Sequence, residues 1–230
     1  MSKAFRSILD KIGSLEHQIL YHNAAMNIDL FTKNQDLDIL RFLHPKNISG
    51  FIKPLSLASS QPIKIYTQEA EPPTIYYTIS PTSYGDLIIA STDLGICFVS
   101  FYSKNSIKNL HANYPNSTHK NVKTHLHEIA INYLENNPVT SLSLHIKGTA
   151  FQLQVWESLL HIPQGQLSTY KHIAIAINNP NASIAVGAAV GKNPIALLIP
   201  CPRVIRGSGV WRGYKWGNKH KAALLAFELM

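Results

Sequence analysis

The chain has 230 residues, 45% of them apolar and 15% charged, a globular composition and not that of a disordered chain. No apolar run approaches the ~20 residues of a membrane span. The N-terminus lacks the apolar core and small-residue site of a secretory signal, and two cysteines, Cys97 and Cys201, are too few for a disulfide framework. The expected compartment is therefore the cytosol, with both thiols reduced and no membrane partner. The net charge of +8 points to a polyanionic partner.

Residues 1–72 are mixed. Helical patterns run over residues 4–12 and 37–43, and a Pro-containing linker, Gln68-Glu-Ala-Glu-Pro-Pro73, follows; the role of this segment stays open. Residues 73–147 read as an α/β domain. Residues 74–79, 86–91 and 95–101 are rich in Ile, Tyr, Val and Phe and broken by Pro81, Gly85 and Asp93, as successive strands are. Val122, Leu126, Ile129, Tyr133 and Leu134 share one helical face, which predicts an amphipathic helix over residues 121–135, stopped before Pro138. Leu142, Leu144 and Ile146 alternate as a final strand does.

Residues 148–230 read as mostly helical. Phe151, Val155 and Leu159 are four apart, and the helix they define ends before Pro163 and Gly165. Ser168 or Thr169 can cap the next helix, residues 170–177, and Asn181 can cap a third, residues 182–190. Helix, tight turn and small-residue helix make a helix-turn-helix pattern. Ala185, Gly187, Ala188 and Ala189 keep the third helix slim, which suits close approach to another surface or close packing on a core. Residues 219–227 predict a closing helix. From residue 158 to residue 227 there is no Asp or Glu, while Lys171, Lys192, Arg203, Arg206, Arg212, Lys215, Lys219 and Lys221 fall in that stretch. A surface lying against phosphates excludes acids for a Coulombic reason; a basic solvated face is the plainer alternative.

The most unusual local sequence is Ile199-Pro-Cys-Pro-Arg-Val-Ile205. Prolines restrict the backbone on both sides of Cys201 and bias the cysteine itself towards extended conformations. Arg203 and Arg206 follow closely, and nearby cations favour thiolate over thiol. A thiolate is a nucleophile that needs no cofactor, although a buried structural cysteine has the same sequence. Cys97, in an apolar strand, reads as structural. No His/Cys cluster falls at ligand spacing, so no catalytic metal is expected.

Residues 74–230 resemble the O6-alkylguanine-DNA alkyltransferases, or methylated-DNA–protein-cysteine methyltransferases. The stretches that carry the resemblance are Phe151-Gln-Leu-Gln-Val-Trp156, Ile162-Pro-Gln-Gly165, Ser168-Thr-Tyr-Lys-His-Ile-Ala174, Ala185-Val-Gly187, Lys192-Asn-Pro194, Pro200-Cys201, Arg203-Val-Ile205 and Gly213-Tyr214. Residues 84–97 look closest to the alkyltransferase half of bacterial adaptive-response regulators. The resemblance implies a ribonuclease H-like α/β domain and then a winged-helix-like helix-turn-helix domain, acting as a monomer on double-stranded DNA. It implies that an O6-alkylguanine is flipped out through the minor groove and that its alkyl group passes to a cysteine, once per molecule, without a cofactor. A base inside a stacked duplex is out of reach of such chemistry unless it is flipped.

By the resemblance, Cys201 is the acceptor and Tyr170 assists flipping and donates to the leaving guanine. Asn193 braces the loop near the cysteine, and Glu228 stands where the family's proton-relay glutamate stands. Tyr214 lines the base pocket; core packing is the alternative for both tyrosines. Ile184, Ala185 and Gly187 fall on the recognition helix, with Lys192 and Arg203 also on the substrate and DNA side. Two positions depart. Pro202 replaces the histidine that takes the thiol proton, and proline can neither accept a proton nor donate one. Thiolate formation must then rest on Arg203, helix dipoles or pH. Ile184 replaces the arginine that enters the base stack; it can act as an apolar wedge but not as a hydrogen-bond donor. A DNA lesion sensor or regulator without transfer activity is the alternative function.

Overall fold

The computed structural model describes residues 3–14, 45–57, 62–68, 70–72, 74–211 and 213–229. Its centre is a six-stranded mixed sheet in the order β1-β6-β4-β3-β2-β5. The strands are β1 (Ile63–Thr67), β2 (Thr74–Thr82), β3 (Gly85–Ser91), β4 (Ile96–Phe101), β5 (Thr118–Asn121) and β6 (Leu142–Ile146). β2, β3 and β4 run antiparallel, while β1 and β5 join by parallel pairing to β6 and β2. Alternation along β3 sends Leu87 and Ile89 to one face and Ile88 and Ala90 to the other, as a strand covered on both sides requires. A helical turn, α2 (Pro45–Ile48), precedes the sheet, and helices α3 (Ser106–Asn113) and α4 (His125–Leu134) accompany it.

The strands expected over residues 74–79, 86–91 and 95–101 and at Leu142–Ile146 are present. The helix expected over residues 121–135 starts four residues later, because Asn121 closes β5 against Tyr77 and the chain turns at Thr124 before entering the helix. β1 lies ahead of residue 73 yet forms the sheet edge, with Ile63, Lys64, Ile65, Tyr66 and Thr67 in register with residues 142–146. The Pro-containing linker is pinned: Gln68 N–H donates to Ile146 O at 3.0 Å, and the Glu71 carboxylate accepts from Asn116 N–H at 2.6 Å. The helical pattern at residues 37–43 lies outside the described residues.

The second half is built from α5 (Ala150–Leu160), α6 (Tyr170–Ala176), α7 (Ser183–Gly191) and α8 (Asn218–Leu229), with a small parallel pair, β7 (Ser168–Thr169) and β8 (Val204–Ile205). Thr149 caps α5, accepting from Gln152 N–H, and Thr169 caps α6, accepting from His172 N–H. Asn181 does not cap α7: the helix begins at Ser183 with Ala182 at its N-cap and no side-chain cap.

Two seams join the halves. Where β6 pairs with β4 only through Ile96 and Leu144, the loop after α7 takes over the open side of β4: Val99 N–H donates to Pro194 O at 3.2 Å and Ala196 N–H to Val99 O at 2.9 Å. On the far side, α1 (Lys3–Ser14) packs on α8. There Phe5, fully buried, meets Tyr84 at 5.5 Å and Phe227 at 5.7 Å, both edge-on. Among the described residues no helix is long and apolar enough to cross a membrane.

Candidate active site around Cys201

Cys201 sits at the end of the loop stitched to β4. The loop makes two tight reversals. At the first, Leu197 has φ +65° and Leu198 N–H donates to Ala196 O at 2.7 Å, a conformation that costs a non-glycine residue of order 1 kcal/mol or more. At the second, Pro200 (φ −78°, ψ 55°) centres an inverse γ-turn in which Cys201 N–H donates to Ile199 O at 2.7 Å. The chain then enters a short 3-10 turn, Cys201–Arg203, instead of the extended path that Pro202 suggested. Pro202 falls in the first turn, where a missing N–H costs least.

Asn193 holds this loop closed. Fully buried, it donates through Nδ2 to Ile195 O and Ile199 O, both at 3.1 Å, and to Cys201 Sγ at 3.2 Å, while its Oδ1 accepts from Ile195 N–H at 2.8 Å. One side chain therefore ties both ends of the loop and fixes the sulfur. A donor on sulfur favours the thiolate.

Cys201 is 3% exposed. Burial pushes its thiol up, and the Asn193 hydrogen bond, the Lys221 ammonium and the Lys215 ammonium pull it down. The cations that act on the sulfur are thus the two lysines and not Arg203. The Arg203 guanidinium points inward, with Nε 2.7 Å from Glu228 Oε2, Nη2 3.2 Å from Oε1, and Nη1 2.8 Å from Ile162 O. Glu228 is committed to this fork, and no side chain at position 202 connects it to the thiol. Arg203 is therefore a brace between the cysteine turn, α8 and the end of α5, and its guanidinium is not free to lie on DNA. Lys221, grouped with the basic face by its charge, is 2% exposed and also internal.

Tyr214, 9% exposed, has its hydroxyl buried beside Cys201; burial holds its pKa well above the ordinary value, and the charge and hydrogen bonding of Cys201 add to the rise. Tyr170 is half-buried, coupled to Arg206 and Cys201. A Cβ added at Gly187 would stand 3.7 Å from its ring, so Tyr170 lies between the thiol and α7. On α7, Val186, Ala189 and Val190 are buried, while Ala185 and Ile184 face solvent, Ile184 at 92% exposure. Lys171, Lys192 and Arg206 are exposed in the same half. Sequence reasoning missed the inward course of Lys221, although Leu225 and Glu228, one and two turns on, mark its face of α8 as buried.

The candidate site thus centres on one thiol, fixed on a loop that pairs with β4 and on a turn that packs against α8. A family model described as the DNA-binding domain of 6-O-methylguanine DNA methyltransferase matches residues 150–230. The regulatory protein Ada of Salmonella typhimurium is 34% identical over 161 residues, 67% of this chain and 46% of that protein. The inducible methylated-DNA–protein-cysteine methyltransferase of Bacillus subtilis is 36% identical over 168 residues, 70% of this chain and 93% of that protein. A crystal structure of Mycobacterium tuberculosis OGT in complex with DNA aligns with TM-score 0.55 at 32% identity, over 68% of this chain and 92% of that one. The chain belongs to the methylated-DNA–protein-cysteine methyltransferase family. It spans about half the length of the Ada relatives that it matches.

Proposed function

We propose that the chain transfers a methyl or other alkyl group from O6-alkylguanine in double-stranded DNA to Sγ of Cys201, once per molecule, as a cytoplasmic monomer without a cofactor. In this reading residues 73–147 are a ribonuclease H-like domain, joined at its edge by β1, and residues 148–230 a winged-helix-like domain in which α6, its turn and α7 form the helix-turn-helix. The observation that carries the proposal is the Cys201 sulfur, fixed by Asn193 at 3.2 Å and flanked by two lysines. The thiolate attacks the alkyl carbon in line. The C–S bond forms as the C–O6 bond breaks, and the electron pair leaves on guanine, which takes a proton.

Tyr170, whose ring stands by Gly187 of α7, donates to the leaving base in this reading. Ala185 and Gly187 keep α7 thin at the minor groove, Ile184 wedges into the stack, and Lys192 meets phosphate. Because Cys201 is 3% exposed, the side chains that cover the sulfur must move as the flipped purine docks.

A second reading, a lesion sensor that binds without transfer, is favoured by Pro202, which leaves no acid–base side chain next to the cysteine. Incubation with a duplex carrying O6-[3H]methylguanine separates the two. Transfer predicts up to one equivalent of label on the protein; saturable duplex binding with no label moved contradicts transfer and leaves the sensor.

A further inference from the structure

Lys221 is a buried cation with no carboxylate paired to it among the described residues. It stands on the first turn of α8 at 2% exposure, and its Nζ donates to Val204 O at 2.8 Å. Glu228, the acid on the same helix, is taken by Arg203, and none of the ion pairs among the described residues includes Lys221. An ammonium removed from water without a counter-charge is costly. Among the described residues the ionisable group that acts on it is Cys201, carried on the 3-10 turn against which α8 packs.

We infer that Lys221 is the counter-cation of the Cys201 thiolate, taking over the ionising role of the histidine that Pro202 replaces. The S–H bond breaks, the proton goes to bulk water, and the thiolate stays beside an ammonium that has no carboxylate paired to it among the described residues. This deepens the alkyl-transfer reading and rests on it, since only the thiolate accepts an alkyl group.

Burial holds Lys221 down to about 8, and Cys201 opposes that shift; burial pushes the thiol up, and Lys221 opposes that one. The other groups near the sulfur are Asn193, which donates to it, and the hydroxyls of Tyr214 and Tyr170, which burial and the charge on Cys201 keep neutral. Lys215 also acts on the sulfur, after Lys221 in size, and its ammonium is held at Asn193 O, 3.0 Å away. Val204 O is the polar atom that holds the Lys221 ammonium in place.

Coupling between two ionisations is reciprocal, so it can be read from both ends, and no DNA is needed. One arm follows carboxamidomethylation of Cys201 by iodoacetamide against pH, with the site read by peptide mass. Lys221→Met should raise the midpoint by a full pH unit, slowing the reaction about tenfold near neutrality, and Lys221→Arg should restore most of the loss. The second arm keeps Lys221 intact and follows its side-chain nitrogen by NMR in the parent and in Cys201→Ala. Loss of the thiolate should lower the Lys221 midpoint by a comparable amount, whether or not the Met variant folds. Unmoved midpoints in both arms overturn the inference. Transfer of label from lesion DNA with uncoupled midpoints rejects Lys221 alone, and coupled midpoints with no transfer reject the alkyl acceptor alone.

Discussion

Cys97 and Cys201 are buried alike, at 0% and 3% exposure, and neither is in a disulfide. Cys97 lies on β4 in a cluster with Ile75, Ile88, Ala90, Phe98, Leu110 and Tyr114. Burial pushes its thiol up to about 12, and no cation among the described residues acts on it. Cys201 lies on a strained loop, with an amide donor on its sulfur and two lysines acting on its charge. Burial by itself makes a thiol inert; each sulfur has a hydrogen-bonding neighbour, Tyr114 at Cys97 and Asn193 at Cys201, and what separates the second cysteine from the first is the positive charge of two lysines.

The sharpest way to break this comparison is to remove each sulfur in turn. Cys201→Ala should abolish transfer while duplex affinity stays within about twofold. Cys97→Ala should leave transfer intact and cost on the order of 1 kcal/mol in urea unfolding. Loss of affinity in the first variant would make Cys201 structural.

Asn193→Ala removes the donor and both loop ties. It should destabilise the fold by about 3 kcal/mol and raise the Cys201 alkylation midpoint. A midpoint left where it was would remove the donor from the account.

Arg203→Ala leaves Glu228 as an unpaired, largely buried carboxylate and should cost roughly 3 kcal/mol. The thiol midpoint should stay put, because Lys221 and Lys215, and not Arg203, act on the sulfur; a clear rise would restore Arg203 as the ionising cation.

In the sheet half, burial holds His127 down to about 4, against an ordinary value of 6.5. The unfolded chain therefore takes a proton here first, and stability present above pH 6.5 is lost as pH falls towards 4. Urea unfolding of His127→Gln should show a flatter acid limb.

The smallest effect on the fold is expected at Ile184, 92% exposed. Ile184→Ala should change stability by less than ~0.5 kcal/mol and leave iodoacetamide reactivity unaltered, while slowing transfer from duplex lesions several-fold. Equal rates for the variant and the parent would mean that this residue does not enter the stack.

Sequence showed the cysteine loop well, because Pro-Cys-Pro is a local signal and because the spacing from Phe151 to Tyr214 resembles a family. It showed the central strands through their apolar runs, α5 through the four-residue spacing of Phe151, Val155 and Leu159, and α6 through its candidate caps Ser168 and Thr169. It showed the edges poorly. β1 has the alternation Ile63, Ile65, Thr67, but only parallel pairing with a strand almost eighty residues away makes that pattern a strand. Charge was the least reliable guide: Arg203 and Lys221 look like their solvated neighbours in sequence, and one lies in an internal fork while the other is buried without an acid. Whether a cation faces water or a sulfur depends on which face of α8 meets the cysteine turn, and that contact is tertiary.

The most direct test is peptide mass mapping after incubation with an O6-methylguanine duplex, reading both cysteines in one digest. The account predicts a gain of one CH2 on the peptide containing Cys201 and none on the peptide containing Cys97. Both peptides unchanged after stoichiometric duplex binding, or the gain found at Cys97, would contradict it.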